Sequence, residues 1–143
     1  MKVTLREATA NDLKFLYRLH RAAMEKYVVQ TWGQWDEVWQ AQYLSEHFDP
    51  DSCQIIVAES IDIGVISLVK RPTEIFLSGI EVLPAYQGQG IGTHLISGLM
   101  TEARGKGIPI TLQVLKVNPA RRLYERLGFS INGETATHYT MST

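Results

Sequence analysis

A glycine-rich turn between a strand pattern and a helix pattern constrains this sequence most. Residues 75–82 carry the aliphatic side chains of a strand, and apolar residues recur at helical spacing over residues 91–103. Gly88, Gly90 and Gly92 lie where the one pattern gives way to the other. Glycines at a helix start let several backbone N–H groups point into one concavity, at the positive end of the helix dipole. The turn therefore predicts a site for an anion, most naturally a phosphate.

Two common phosphate loops do not fit this turn. A P-loop needs Lys and then Ser or Thr directly after its last glycine, whereas Ile91, Gly92 and Thr93 follow Gly90 here. The dinucleotide-binding fingerprint requires Gly-x-Gly-x-x-Gly, but the spacing here is Gly-x-Gly-x-Gly, and no tandem βαβ pattern follows. The sequence therefore lacks the lysine and the acidic ribose partner that a nucleotide-phosphate binding domain would need, which argues against that class of protein.

The turn resembles a known loop instead. Its sequence is Gln87-Gly88-Gln89-Gly90-Ile91-Gly92. This resembles the acetyl-coenzyme A loop of the GCN5-related N-acetyltransferases (GNAT), in which Gln or Arg is followed by two residues, Gly, one residue and then Gly or Ala. The resemblance implies that residues 88–93 bind the pyrophosphate, that the backbone of residues 80–82 pairs with pantetheine, and that the N–H near Val82 polarises the thioester carbonyl. The donor-binding residues implied in this way are Ile80, Val82, Gln87, Gly88, Gln89, Gly90, Ile91, Gly92 and Thr93.

A second motif follows the first in the order that the same family shows. Its sequence is Asn118-Pro119-Ala120-Arg121-Arg122-Leu123-Tyr124-Glu125-Arg126-Leu127-Gly128-Phe129. It resembles the family's C-terminal signature, an Asn-led helix with a Tyr shortly before Gly-Phe, which implies a donor contact for Asn118 and a catalytic proton for the leaving thiolate from Tyr124. Many relatives have one more residue between the Asn and the Tyr, so the contact of Asn118 can differ. The alternative is that Tyr124 is only an aromatic residue of an amphipathic helix.

The general base is the least defined part of this chemistry. In relatives, an acid or histidine often lies on the fourth strand where Phe76 and Ser78 stand here, or a Glu lies on the fifth strand where Gln113 stands, and Gln cannot take a proton. Glu81 is the carboxylate nearest in sequence, although strand alternation turns it away from the cleft unless the strand bulges. We therefore assign Glu81 as the catalytic base, with a water relay as an alternative. His20, Glu25 and Asp36 are weaker candidates, each expected to be solvated or structural.

The pattern of elements predicts an α+β fold. The predicted order is βααβββαβαββ, and the resemblance implies a GNAT-like mixed central β-sheet flanked by helices and splayed between strands four and five. One domain over residues 1–143 is expected. Strands are predicted at residues 2–8, 54–58, 63–69, 75–82, 110–114, 129–131 and 137–141. Helices are predicted after a cap at Thr9 or Asn11, at residues 36–48, 91–104 and 119–127, with a loop at residues 28–35.

Composition narrows the class of protein further. With 45% hydrophobic and 20% charged residues the chain reads as an ordinary soluble protein, and its net charge of −1 gives no reason to expect nucleic-acid binding. A single cysteine, Cys53, excludes an internal disulfide and favours a cytoplasmic setting. Cys53 itself is expected in the core rather than as a nucleophile. No apolar run approaches the length of a membrane span, and the four histidines show no metal-ligand spacing, so neither a membrane nor a metal is expected.

These observations predict an N-acetyltransferase. It would move acetyl from acetyl-coenzyme A to a primary amine by direct attack in a ternary complex, and the absence of a partner domain favours a small-molecule acceptor. The alternative is a non-catalytic acyl-coenzyme A binding or sensor domain. Aromatic residues along and between the first two helices are expected to pack the helix pair, or else to line an acceptor pocket; they are Tyr27, Trp32, Trp35, Trp39 and Tyr43. Three arginines are expected to be solvated, or else to reach the 3′-phosphate of coenzyme A; they are Arg121, Arg122 and Arg126. A homodimer through the last strands or helices is compatible with the sequence but not required by it.

Overall fold

The computed structural model describes residues 2–143, which form seven strands, four α-helices and three short 3₁₀ turns. The strands are β1 (Val3–Glu7), β2 (Cys53–Ala58), β3 (Ile61–Lys70), β4 (Ile75–Val82), β5 (Ile110–Leu115), β6 (Ser130–Glu134) and β7 (His138–Ser142). The helices are α1 (Leu13–Trp32), α2 (Glu37–His47), α3 (Ile91–Lys106) and α4 (Ala120–Arg126). The predicted order βααβββαβαββ is confirmed.

The strands form a mixed sheet in the order β1-β2-β3-β4-β5-β7-β6. β1 pairs antiparallel with β2, and β7 pairs antiparallel with both β5 and β6. The β4–β5 pair is parallel, and its ladder joins Ile75 to Ile110 and Leu77 to Leu112, over only the first three residues of each strand. The predicted α+β class with a mixed sheet and flanking helices is confirmed, and so short a parallel ladder agrees with a sheet that splays between strands four and five.

The chain forms two compact units. The first comprises the residues up to Ser67 together with residues 80–87, and the second comprises residues 68–79 and 88–143. In the first unit, Ala8, Leu16, Leu19, Ile55 and Val65 form a buried cluster. The most buried side chains of the second unit are Ile75, Leu77, Ile96, Ile110 and Met141. The single domain expected from chain length stays a prediction.

Helix α1 is longer than the sequence pattern predicts. The loop predicted at residues 28–35 is wrong for residues 28–32, which complete the helix. Val28 is only 6% exposed, so the burial of its side chain outweighs the weak helix propensity of a β-branched residue. The helix ends at Gly33, whose φ of 90° is in the left-handed region and whose N–H donates to the Val29 carbonyl at 2.8 Å.

The start of α1 is fixed by a capping box and a salt bridge. Thr9, one of the two predicted caps, caps a short 3₁₀ turn (Ala10–Asp12) that leads into α1, and its own N–H donates to Asp12 at 2.8 Å. Arg6 of β1 binds the same carboxylate at 2.7 Å and binds Asp62 of β3 at 2.9 Å. The hydrogen bond from Arg6 holds the pKa of Asp12 below its usual value, in spite of burial.

The final hairpin also extends beyond its prediction. Its first strand is predicted at residues 129–131 but runs over Ser130–Glu134, with a bulge between Ile131 and Gly133 that lets the pairing with β7 continue. A Cβ atom at Gly133 would lie 2.7 Å from the hydroxyl oxygen of Thr140. This glycine therefore permits a close approach between β6 and β7.

Candidate active site

The structure places the predicted site residues in both compact units. The first unit holds Ile80, Glu81, Val82 and Gln87, and the second holds Gly88, Gln89, Gly90, Ile91, Gly92, Thr93, Asn118 and Tyr124.

Two candidate bases of the first unit contact each other. The Nδ1 atom of His20, on α1, lies 2.6 Å from Oε2 of Glu81, on β4. The side chains of His20 and Glu81 are 34% and 19% exposed, so the pair is accessible to solvent only in part. Sequence reasoning treated the two residues as separate candidates. It could not place α1 beside the end of β4, because the residues are 61 positions apart.

His20 is enclosed by residues of α1 and of the segment that leads into α2. The Trp35 ring centre lies 5.5 Å from the His20 ring centre, and the Trp35 indole N–H donates to the Tyr17 hydroxyl at 3.2 Å. Burial lowers the pKa of His20, but the hydrogen bond and charge of Glu81, with a smaller contribution from the Gln40 side chain, outweigh it. The pKa of His20 is therefore raised above its ordinary value.

The other two candidate carboxylates have structural partners. Arg21 binds Glu25 one turn along α1 at 3.3 Å and also contacts Glu37 of α2. Asp36 accepts a hydrogen bond from the Trp39 backbone N–H at 3.0 Å and so caps α2. Among these candidates, the contacts single out the His20–Glu81 pair.

The end of β4 is shaped by a glycine on the neighbouring strand. A Cβ atom at Gly64 of β3 would lie 2.4 Å from the Glu81 carbonyl oxygen and 3.3 Å from Cα of Val82. The Gln87 side-chain amide donates to the Val82 carbonyl at 2.9 Å. Gly64 and Gln87 thus help to position the backbone of residues 80–82, which are predicted to bind the donor.

Sequence reasoning missed Gly64. A lone glycine inside the strand pattern of residues 63–69 is a signal for a close backbone approach, and it could have drawn attention to this position.

The glycine turn of the second unit fits the predicted anion site. Gly88 and Gly90 have φ angles of 75° and 80°, and a Cβ at either would meet nothing within 4 Å. His94 donates the first hydrogen bond of α3, to the Gly90 carbonyl at 3.0 Å. The N–H groups of residues 91–93 therefore have no acceptor within the helix. Open space beside such N–H groups leaves room for an anion that accepts hydrogen bonds, as a pyrophosphate does.

The second motif forms α4 and the chain before it. The Asn118 side-chain oxygen accepts a hydrogen bond from the Ala120 N–H at 2.9 Å, just before α4, while Pro119 occupies the N-cap position. Pro119 has a helical φ of −66° but precedes the first residue of α4. Tyr124 is 7% exposed and its ring centre lies 5.7 Å from that of Phe129. A phenol that is largely removed from water meets one requirement of the predicted proton donor.

The aromatic residues and arginines that were left open have the following contacts. Trp39 and Tyr43 stack with ring centres 5.1 Å apart on the exposed surface of α2, whereas the half-buried Trp35 packs against α1. Arg121 binds Glu125 at 3.3 Å and lies 5.1 Å from the centre of the Tyr139 ring. Its contacts are those of a surface residue held by its own neighbours.

Cys53 packs against the buried cluster of the first unit, with its sulfur 3.3 Å from the Ser67 hydroxyl. Over residues 2–143, no group of three or more His, Cys, Asp or Glu side chains is arranged to hold a metal ion. No helix in that range combines the length and the apolar character needed to cross a membrane.

Comparison with known proteins decides the family. The profile of the Acetyltransferase (GNAT) family matches residues 13–129. This chain belongs to the GNAT family. The match includes the glycine turn and Tyr124, and it supports the predicted class of enzyme, an acetyl-coenzyme A-dependent N-acetyltransferase.

Individual GNAT relatives match at very different lengths. A curated relative, the ribosomal protein bS18-alanine N-acetyltransferase of Haemophilus influenzae, is 41% identical over 58 residues, which are 40% of each chain. The match thus spans less than half of that relative. The PaiA N-acetyltransferase of Thermoplasma acidophilum, solved in complex with coenzyme A, is 20% identical with a TM-score of 0.76, covering 100% of this chain and 99% of that one. The ribosomal-protein-S18-alanine N-acetyltransferase of Escherichia coli is 23% identical with a TM-score of 0.68, covering 99% and 92%. These two structures share the fold.

Proposed function

We propose that this GNAT protein is an acetyltransferase that moves the acetyl group of acetyl-coenzyme A to a primary amine by direct attack in a ternary complex. The observation that carries the proposal is the glycine turn before α3. Two glycines there adopt left-handed conformations, and the N–H groups of residues 91–93 have no helical acceptor. The family match supports the acyl chemistry, since a phosphate site by itself does not specify it.

The donor would be bound mainly by backbone atoms. In this proposal, residues 88–93 bind the pyrophosphate, and the backbone of residues 80–82 pairs with pantetheine and polarises the thioester carbonyl. Acetyl-coenzyme A supplies the activated acyl group and a thiolate leaving group. Asn118 stays a proposed donor contact, although its side-chain oxygen already accepts a hydrogen bond from the Ala120 N–H.

Two proton transfers complete the reaction. Glu81 would take one proton from the ammonium form of the acceptor, which leaves a neutral amine to attack the thioester carbonyl. As the C–N bond forms and the C–S bond breaks, Tyr124 would give its phenolic proton to the thiolate and regain one from the nitrogen. A phenol of pKa about 10 protonates a thiolate of pKa about 8.5 only where the thiolate is poorly solvated. The burial of Tyr124 is consistent with that condition.

For the acceptor we propose a small-molecule primary amine, with a protein N-terminus as the second candidate. The second candidate is favoured by the similarity to the Haemophilus influenzae enzyme, whose name gives a ribosomal-protein alanine as its acceptor. Rates with a diamine, an amino-acid amide and a peptide that begins with alanine would separate the two. Turnover of the peptide alone would contradict the small-molecule proposal.

The experiment that tests the function combines binding with turnover. Coenzyme A should raise the melting temperature, and acetyl-coenzyme A with one of these amines should release free thiol. No stabilisation by coenzyme A would contradict donor binding altogether. Stabilisation without thiol release for any amine would favour the alternative, a non-catalytic acyl-coenzyme A binding domain. A cytoplasmic setting and a homodimer stay predictions, and sedimentation of the purified protein tests the second.

A further inference from the structure

The contact between His20 and Glu81 has no assigned purpose in the mechanism above, which uses only Glu81. The Nδ1–Oε2 distance of 2.6 Å is short for a hydrogen bond between nitrogen and oxygen. Among residues 2–143, the Glu81 side chain makes no other hydrogen bond. One carboxylate oxygen is therefore held by His20 and the other remains for a further partner.

His20 is itself fixed from more than one side. Its ring packs 5.5 Å from Trp35, whose indole is in turn hydrogen-bonded to Tyr17. The Gln40 side chain of α2 adds an interaction that favours the protonated imidazole. A side chain held in this way can fix the direction of the carboxylate that it contacts.

We propose that His20 is a positioning residue that acts through Glu81, and that the two side chains share the proton taken from the acceptor ammonium. This inference rests on the proposed function. The N–H bond of the ammonium breaks and leaves its electron pair on nitrogen. The proton goes to the pair, and it leaves to solvent after the amide has formed.

Sharing the proton addresses a weakness of a lone carboxylate as base. An ordinary Glu has a pKa of about 4.3, far below the neutral range in which a general base works best. A coupled Glu–His pair takes up a proton as a unit, with an apparent pKa that belongs to the pair. The pair can therefore accept a proton near neutral pH, where a lone glutamate of ordinary pKa is a weak base.

The charges around His20 are consistent with this arrangement. Glu81 of β4 is the charged group in contact with it, and the uncharged Gln40 side chain of α2 also favours the protonated imidazole. The next ionisable residues along α1, Arg21 and Glu25, bind each other, and Arg21 also binds Glu37 of α2. Burial lowers the pKa of His20 and Glu81 raises it, with a net rise.

The test is the pH dependence of kcat/KM for thiol release, with the most active amine of the panel as acceptor. In the wild type, the acidic limb should lie at or above about pH 6.5. In His20→Gln the limb should leave the range pH 6–8 towards a carboxylate value, and kcat/KM at pH 7 should fall at least about tenfold, since a positioned base contributes about 10²–10⁴-fold. In Glu81→Gln kcat/KM at pH 7 should fall at least as far, because the carboxylate that takes the proton is gone, and no acidic limb should remain between pH 6 and 8.

His47→Gln is the matched control. His47 is an exposed imidazole on α2 that contacts the Tyr43 backbone carbonyl and stacks on the Tyr43 ring, and it should leave the pH profile unchanged. An unchanged acidic limb in His20→Gln, with only a lower melting temperature, would overturn the inference.

The proposed function can fail independently of the pair. A wild-type protein that releases no thiol with any amine would overturn the proposed function. In that event, NMR titration of the His20 imidazole still tests the pair, because its pKa should fall in Glu81→Gln. No fall would show that the two side chains share no proton.

Discussion

The positions of Glu81 and Val82 at the end of β4 depend on the residue that faces them on β3. Gly64 has no side chain, and this allows the backbone at Glu81 and Val82 to approach β3 more closely than a Cβ would permit. Glu81 then contacts His20, while Gln87 hydrogen-bonds the Val82 carbonyl. The direction of the proposed base therefore depends on a glycine that takes no part in the chemistry.

Gly64→Ala should lower the free energy of unfolding by about 1–3 kcal/mol, because the new methyl group would lie 2.4 Å from the Glu81 carbonyl oxygen and the backbone must shift. Urea denaturation measures this change. Gly79→Ala in β4 is the control, since its Cβ would meet nothing within 4 Å, and it should leave stability unchanged or raise it by up to about 1 kcal/mol. Equal stabilities for the two variants would contradict the close approach at Gly64.

Tyr124→Phe should reduce kcat by about 10²–10⁴-fold, because only the proton donor is removed while the buried ring is kept. Coenzyme A should still raise the melting temperature as in the wild type. Steady-state thiol release with the best acceptor measures the effect. An unchanged kcat would remove Tyr124 from the mechanism, and a lost fold, visible by circular dichroism, would indicate a structural role for the hydroxyl.

Among the elements, the start of α3 has a backbone conformation that suits the proposed binding of an anion. The left-handed angles at Gly88 and Gly90 turn the chain into a helix of 16 residues. The helix has no side-chain cap at its N-terminus, because Gly90 occupies that position. Its first N–H groups are therefore left for an anion rather than for a capping side chain.

Gly90→Ala should destabilise the protein by about 1–2 kcal/mol, because φ at this position is 80° and an alanine there is strained. It should also reduce the rise in melting temperature that coenzyme A produces. Gly98→Ala is a control within the same helix, since its Cβ would meet nothing within 4 Å and alanine favours a helix interior by about 1 kcal/mol. Gly98→Ala should thus be more stable and bind coenzyme A normally, and the opposite ranking would refute the proposed role of the turn.

For the whole molecule, two titrating contacts act on stability at opposite ends of the pH range. The pKa of His20 is raised in the folded state, so its contribution is complete below about pH 6.5 and is lost as pH rises through the folded value. The pKa of Asp12 is lowered by Arg6, so its contribution is present above about pH 3.9 and is lost as pH falls through the folded value. Folding stability should therefore decline towards both extremes.

Urea denaturation from pH 2 to 9 tests this expectation with two variants. The stability difference between wild type and His20→Gln should shrink as pH rises above neutrality. The difference between wild type and Asp12→Asn should be about 1–2 kcal/mol at pH 7 and should shrink below about pH 4. Differences that stay constant with pH would mean that neither contact changes its protonation on unfolding.

The sequence by itself determined the order of elements, the glycine turn and the two family motifs, because these depend on residues that are close together in the chain. Local patterns also predicted the cap at Thr9. They failed at residues 28–32, where burial of Val28 outweighs β-branched propensity.

Only the tertiary structure decided which candidate base has which partner. It brought His20 to Glu81, bound Glu25 to Arg21 and used Asp36 as a helix cap. It also placed Gly64 so close to the backbone of Glu81 that a side chain at this position would clash. The physical reason is that these contacts join residues far apart in the chain. Their distances depend on how helices and strands pack, and no local pattern carries that information.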